Sequence, residues 1–330
     1  MKPLFALILF TAALFAQRPQ IENARLEQKA YSGPLASQIS QFGAGPLWAG
    51  YTEPIIPGRH GSMCWNDGND DGGRKADAPV RLEGPTALVV LVRIENSRVD
   101  QLRVTSPDCR LDAGGLPFYW IDNVPAAASV EWLKSQVLAS QSPRDSAVLA
   151  IALHSDGSAA QALDELTAPS SPENVREKAA FWLGQSRGAQ GVARLKAMLA
   201  SDPSEKVREK VVFALSQSRD PGGIPAVIDA ARSDKDPRVR GQALFWLAHA
   251  AARQDAARTI SNAVVNDPDR GVKEKAVFAL QQMPNGEGVP MLIQVAKNNP
   301  DPDVRKKAMF WLGQSKDPRA IEFFEQVLKK

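Results

Sequence analysis

Imidazole and thiol side chains, which hold zinc and carry much nucleophilic and proton-transfer chemistry, are few: the 330 residues include only three His and two Cys. His60, His154 and His249 fall far apart along the chain, so spacing assembles no histidine site. Cys64 and Cys109 both lie in the N-terminal part. Two Cys without matching His neighbours cannot supply the four ligands of a structural zinc site. In an exported protein such an isolated pair is expected to form a disulfide, the alternative being two separate buried thiols. Residues 66–72 (NDGNDDG) place Asp67, Asn69 and Asp71 at alternating positions before a Gly, as a calcium loop requires. The twelfth position, however, is Ala78, where a bidentate Glu belongs, and no helix signal flanks the run. A plain polar loop is the competing reading. The chain contains no Gly-x-Ser-x-Gly, no His-Glu-x-x-His and no phosphate-binding Gly-rich motif. No catalytic residue is therefore named, and no cofactor is expected.

The charge balance narrows the partners. Lys and Arg total 40 against 37 Asp and Glu. Nucleic-acid binding needs a dense basic face, and a net charge of +3 supplies no argument for one. The start of the chain concerns the compartment. Met1-Lys2 is followed by an apolar run from Leu4 to Ala16 and a polar return at Gln17-Arg18-Pro19. That run is too short to span about 30 Å of hydrocarbon and fits a secretory signal peptide over residues 1–16. Cleavage falls near Ala16-Gln17, although Leu14 suits the −3 position poorly, and an uncleaved anchor is the alternative. The mature protein is expected to be exported, in the periplasm or secreted, with no stable membrane insertion after signal removal.

A repeat dominates the rest. Segments beginning at Val175, Val207, Val239, Val272 and Val304 share one pattern, and their starts are 32, 32, 33 and 32 residues apart. With Val as zero, apolar residues recur at +4, +7 and +8, and +8 is always Leu: Leu183, Leu215, Leu247, Leu280 and Leu312. These offsets form one stripe of a helix with 3.6 residues per turn. A Ser or Asp followed by Pro precedes each copy (Ser171, Asp202, Asp236, Asp267 and Asp301) and signals a helix start. A second amphipathic segment fills each period. A weaker pair of helices, residues 129–138 and 145–154, precedes the five copies, and residues 319–328 form a final unpaired helix. No such hairpin buries its stripe alone, so the copies must stack.

The pattern Val-Arg-x-x-Ala-x-x-Ala/Trp-Leu-Gly after an Asp-rich turn resembles the HEAT repeat, and its shortness is similar to the HEAT-like repeats of bilin lyases. The resemblance implies a right-handed α-solenoid of about six hairpins over residues 126–330. It also implies a ladder in which a turn Asp pairs with the Arg six residues later. Asp202/Arg208 and Asp234/Arg240 match and Asp267/Lys273 matches in part. Asn299/Arg305 and Ser170/Arg176 depart, so interruption is expected at both ends.

Position +6 is Phe in every copy: Phe181, Phe213, Phe245, Phe278 and Phe310. It lies at about 240°, whereas the buried stripe centres near roughly 20°. Position +10, which shares that face, carries Gln185, Gln217, His249, Gln282 and Gln314. The resemblance puts these helices on the concave side of the solenoid, where the Phe rings and amides would hold a protein or peptide. The alternative is that each Phe packs between repeats. Position +7 alternates Trp182, Ala214, Trp246, Ala279, Trp311, and the Trp residues are expected in the core.

Residues 17–125 differ. The segments 87–94, 98–104 and 116–121 are strand-like, with Asn96-Ser97 a turn signal between the first two. A small β-rich domain with long loops is expected, joined to the repeats at about 123–128. The functional expectation is a non-enzymatic protein-binding scaffold of the cell envelope. The alternatives are an enzyme similar to bilin lyases and a calcium-dependent binding module.

Overall fold

The computed structural model describes residues 18–56, 63–64, 86–139, 144–250 and 254–329. The apolar run at 4–16, His60 and the loop bearing Asp67, Asn69, Asp71 and Ala78 lie outside them. The chain forms two compact units, residues 1–159 and 160–330.

In the first unit the expected strands form. β4 (Ala87–Glu95) and β5 (Arg98–Thr105) make a hairpin. Asn96 and Ser97 both adopt positive φ at its turn, as a primed two-residue turn demands. With β2 (Arg25–Ala30), β3 (Leu47–Pro54) and β7 (Pro117–Asp122) they build a five-stranded sheet in the order β2-β7-β3-β4-β5. The contacts from β2 to β7 and from β7 to β3 are parallel, the others antiparallel. A small parallel ribbon of β1 (Gln20–Glu22) and β6 (Arg110–Asp112) closes one face. There Ile21 and Leu111 pack on Val89, Leu91, Phe118 and Trp120. α1 (Leu35–Ser40) lies between β2 and β3 in sequence. α2 (Ala126–Leu138) and α3 (Arg144–Leu153) pack against β3, β4 and β5. Burial on both faces explains the nearly continuous apolar run of β4. The first unit thus extends past the 123–128 junction read from the sequence and takes in the helix pair of 126–153. Cys64 and Cys109 form the expected disulfide, with Cα atoms 5.4 Å apart.

The second unit begins within α4 (Gly157–Leu166), a helix absent from the sequence reading. The five Val-Arg segments are α5 (Glu173–Ser186), α7 (Glu205–Ser216), α9 (Pro237–His249), α11 (Arg270–Gln282) and α13 (Pro302–Gln314). They lie side by side in one layer. The intervening helices α6 (Gly188–Ser201), α8 (Gly223–Ser233), α10 (Gln254–Asn266), α12 (Val289–Asn298) and α14 (Pro318–Leu328) form the other. α13 pairs closely with α12, as α9 does with α8 and α11 with α10, and α14 packs only lightly on α12 and α13, as the final unpaired helix read from the sequence. The Val-Arg helices fit more closely to one another than the second-layer helices do, which makes theirs the inner layer of the curve. Val175, Val207, Val239, Val304 and the +4 residues are fully buried, as the stripe requires.

The helix starts follow a finer rule than Ser/Asp-Pro. The caps are Ser204, Asp236, Asp269 and Asp301. Two residues before each stands a ladder residue, Asp202, Asp234, Asp267 or Asn299. Its side-chain oxygen accepts the backbone N–H of the capping residue. Asp202 and Asp267, expected as caps, are thus ladder residues, and Pro172 precedes α5 without a side-chain cap.

Candidate functional site

Three of the five helices, α5, α7 and α9, contribute an Arg to a ladder of carboxylate pairs along the unit. Arg176 donates from Nε and Nη2 to Asp202 at 2.7 and 3.0 Å. Arg208 does the same to Asp234 at 3.0 and 3.1 Å, and Arg240 to Asp267 at 2.8 Å for both bonds. The carboxylate that each Arg grips belongs to the next repeat. The Asp six residues upstream offers only its main-chain carbonyl, as Asp202 does to Arg208 Nη1 at 2.9 Å and Asp234 to Arg240 Nη1 at 3.0 Å. The pairing inferred within a repeat is therefore corrected. One guanidinium ties its own turn to the following one, through charge-assisted bidentate bonds. Arg176 belongs to the ladder although residue 170 is Ser, so the first end is not interrupted. In the fourth junction Lys273 and Asn299 replace the pair, and the Asn299 amide donates instead to the Val264 carbonyl at 3.4 Å. Arg176, Arg208 and Arg240 are buried, so these residues organise the stack and offer nothing to a ligand.

The face of the inner layer carries the other recurring set. Phe181, Phe213, Phe245 and Phe278 are half-buried and Phe310 is 54% exposed. Their rings form a continuous series. Phe181 stacks on Phe213 at 6.0 Å between centroids, and Phe245 on Phe278 at 6.3 Å. Trp246 meets Phe213 at 4.7 Å and Phe245 at 5.0 Å. Trp311 meets Phe278 at 5.1 Å and Phe310 at 5.0 Å, and Trp182 stands edge-on to Phe181 at 4.9 Å. The two readings of Phe thus meet in one arrangement. The rings pack on their neighbours across repeats and still present a partly open surface.

The Trp residues correct the sequence reading. Trp182, Trp246 and Trp311 are half-buried members of this ribbon, not core. Their backbone position is on the buried stripe, but an indole is too large to be enclosed there and extends to the Phe side. Ala214 and Ala279, at the same position in alternate copies, are fully buried. The indole N–H groups of Trp246 and Trp311 are covered and have no hydrogen-bond partner among the described residues. Each leaves about 1–3 kcal/mol of desolvation uncompensated. Beside the ribbon, Gln217 and Gln314 are exposed, and Gln185 and Gln282 are half-buried. His249 is exposed, with its ring 4.6 Å from Phe245 and Nδ1 2.9 Å from the Phe245 carbonyl. All ten residues read from the sequence as partner-binding lie on the inner-layer helices or, for Gln217, at the C-terminal cap of one.

The first unit holds a polar cluster that no motif announced. Glu53 on β3, Ser129 on α2 and His154 at the end of α3 are buried together with Tyr51. Ser129 Oγ donates to Glu53 Oε2 and lies 3.1 Å from the Tyr51 hydroxyl. His154 Nε2 is 3.4 Å from the same carboxylate oxygen. Burial pushes the Glu53 carboxyl up to about 8. The serine hydroxyl donates its hydrogen bond to the Glu53 carboxyl group rather than to the imidazole, and all four side chains are sealed from solvent. The cluster therefore offers no nucleophile to a substrate. Cys64, Asp108 and Cys109 also converge, but both sulfurs are spent in the disulfide. Among the described residues, no helix is long and apolar enough to cross a membrane.

The family model for HEAT repeats matches residues 159–248 and 250–330, more than half of the chain. The chain belongs to the HEAT-repeat family. Its repeat unit is accordingly a helical scaffold of the kind that binds proteins. No curated protein matches the chain. Among solved structures, human deoxyhypusine hydroxylase with glycerol aligns at 15% identity and a TM-score of 0.31, over 61% of this chain and 78% of that one. A phycocyanin lyase complex from Nostoc aligns at 21% identity and a TM-score of 0.35, over 48% and 100%. Kap95p bound to RanGDP aligns at 15% identity and a TM-score of 0.33, over 57% and 36%.

Proposed function

We propose that this HEAT-repeat protein is a non-enzymatic scaffold of the cell envelope that holds a protein partner along the aromatic ribbon of its inner layer. The observation that carries the proposal is the unbroken series of Phe and Trp rings from Trp182 to Phe310, half-open to solvent and edged by Gln side chains. Rigid aromatic anchors with polar edges are what binding hot spots are made of. Glutamine amides both donate and accept, so they can pair with the main chain of an extended segment. Export is supported by the apolar run at 4–16 and by the Cys64–Cys109 disulfide, a bond that persists in oxidising compartments.

The test is affinity capture from an envelope extract, comparing the mature chain with Phe213→Ser/Phe245→Ser after circular dichroism shows both folded. A partner held by the first should bind the second at least about thirtyfold more weakly, since one aromatic hot spot contributes about 2 kcal/mol. A partner held equally by both moves the interface off the ribbon and refutes the proposal. Single Phe245→Leu, which removes the ring and keeps apolar bulk, serves if the double variant does not fold.

A further inference from the structure

The junction between α5 and α7 shows what a Val-Arg helix offers to the next. Arg176 grips Asp202, Ala180 is fully buried, and Phe181 stacks on Phe213. Gly184 lets the α7 backbone approach so closely that a Cβ there would fall 2.5 Å from the Ala214 carbonyl oxygen. α13 carries the same offering. Residues 310–315 repeat residues 181–186 letter for letter (FWLGQS). Arg305 Nη1 donates to the Asn299 and Pro300 carbonyls at 2.7 and 3.0 Å, as Arg208 does to those of its own turn. Its Nε and Nη2, the pair that grips the next carboxylate elsewhere, donate to nothing among the described residues. Met309 is half-exposed where Ala180, Val212, Leu244 and Val277 are fully buried. A Cβ on Gly313 would meet only the Phe324 ring, at 4.0 Å. Phe310 lacks the stacked ring that Phe213 and Phe278 supply to Phe181 and Phe245.

We infer that this face of α13 is a docking position for one amphipathic helix of another polypeptide, whose leading turn brings a carboxylate to Arg305 and whose aromatic ring stacks on Phe310. The filled junctions fix the spacing. The gripped carboxylate precedes the stacking Phe by eleven residues in both junctions where two Phe rings stack: Asp202 and Phe213, Asp267 and Phe278. Charge selects an acidic partner, because the Arg305 fork is a cation and Lys306, the next residue of the helix, is exposed. Charge also disfavours a second copy of this chain. Its own carboxylates at these positions are already held by Arg176, Arg208 and Arg240.

The probe is a labelled peptide of residues 202–217 of this chain, the turn and helix that fill the α5 junction, titrated into the full chain by fluorescence anisotropy. Saturable one-to-one binding is expected. Arg305→Gln should weaken it about tenfold or more, as loss of a charge-assisted bidentate contact does. Gly313→Gln, at an exposed helical position, should block the close approach. Arg305→Asp should bind a peptide carrying Asp202→Arg better than the unaltered peptide. Phe213→Ser/Phe245→Ser, which alters the ribbon elsewhere, should leave the titration unchanged, so the two proposals fail separately. Absence of saturable binding, or binding indifferent to Arg305 and Gly313, overturns the inference. So does a dimer in sedimentation that Gly313→Gln splits, since the occupant is then a second copy.

Discussion

Asp234 in the repeat unit and Glu53 in the first unit are both buried carboxylates, with side chains 5% and 1% exposed. Asp234 accepts two bonds from the Arg208 fork and one from the Asp236 backbone N–H. Glu53 receives one hydroxyl proton from Ser129, and its Oε1 has no partner among the described residues. The nearest cationic group is an imidazole, charged only if protonated. His154 Nδ1 accepts the Asp156 N–H at 3.1 Å, which in the neutral ring leaves the proton on Nε2, facing the carboxylate. A dedicated guanidinium lets an acid keep its charge inside a protein. Without one, desolvation drives the acid toward its neutral form, and Glu53 is pushed up to about 8.

The largest effect should come from breaking the compensated case. Arg208→Met strips Asp234 of its counter-charge and unties the turn before α7 from the turn before α9. Breaking a buried pair from one side costs about 3–5 kcal/mol. Denaturant unfolding of the second unit would read this, and a loss under about 1 kcal/mol would mean the ladder is ornamental.

The uncompensated case makes a prediction about pH, of the next size. Glu53 titrates near 4.5 when unfolded and near 8 when folded. Between those values the folded state holds the extra proton, so stability falls as pH rises. Its contribution is intact below 4.5 and is lost by about pH 8. The slope for one such group is about 1.4 kcal/mol per pH unit, an upper limit for a site that can relax. Glu53→Gln, which cannot ionise, should gain roughly 2–3 kcal/mol over the parent between pH 5 and 7. Thermal melts of both chains across that range would show parallel lines if the carboxyl is charged throughout, and that would dispose of the idea.

The sequence displayed one of these regions far better than the other. A stripe recurring every 32 or 33 residues is visible because each copy confirms the last, and Val175, Leu183 and their equivalents sit where the stripe puts them. Strands β4, β5 and β7 were equally legible from β-branched and aromatic runs around a turn signal. β3 was not, since Gly50, Glu53 and Pro54 give it the look of the Gly- and Pro-rich stretch around it. The cluster built on β3 was hidden with it. Glu53, Ser129 and His154 are separated by 76 and 25 residues, and only the packing of α2 and α3 on the sheet unites them. In the repeat unit the Phe face was legible from helical angles. The Trp residues were misplaced because an angle locates a Cα and not the reach of an indole. The ladder was found at the correct residues with the wrong partners. Counting within one repeat detects the Arg-to-carbonyl contact six residues back and cannot see a carboxylate in the next turn.

The fourth junction offers the smallest and sharpest test of what the fork contributes. Lys273 and Asn299 stand at the positions of Arg and Asp, so the stack holds there without a bidentate pair. Asn299 already keeps the local part of the role, accepting the Asp301 N–H at 3.0 Å. Asn299→Asp alone introduces a charge opposite an ammonium, which lacks the planar fork that satisfies both oxygens. It also gives up the amide bond to the Val264 carbonyl. Lys273→Arg alone brings a fork with no carboxylate to grip. Each single change should therefore be neutral or mildly destabilising. The pair should recover more than the sum, with a coupling of about 1–2 kcal/mol in a double-mutant cycle. A coupling near zero would place the value of the other three rungs in the bond from Arg to its own turn carbonyl, the contact that Arg305 makes without any carboxylate. In that case Arg208→Met would act through a loosened turn, and Asp234→Asn would be nearly silent where Arg208→Met is not.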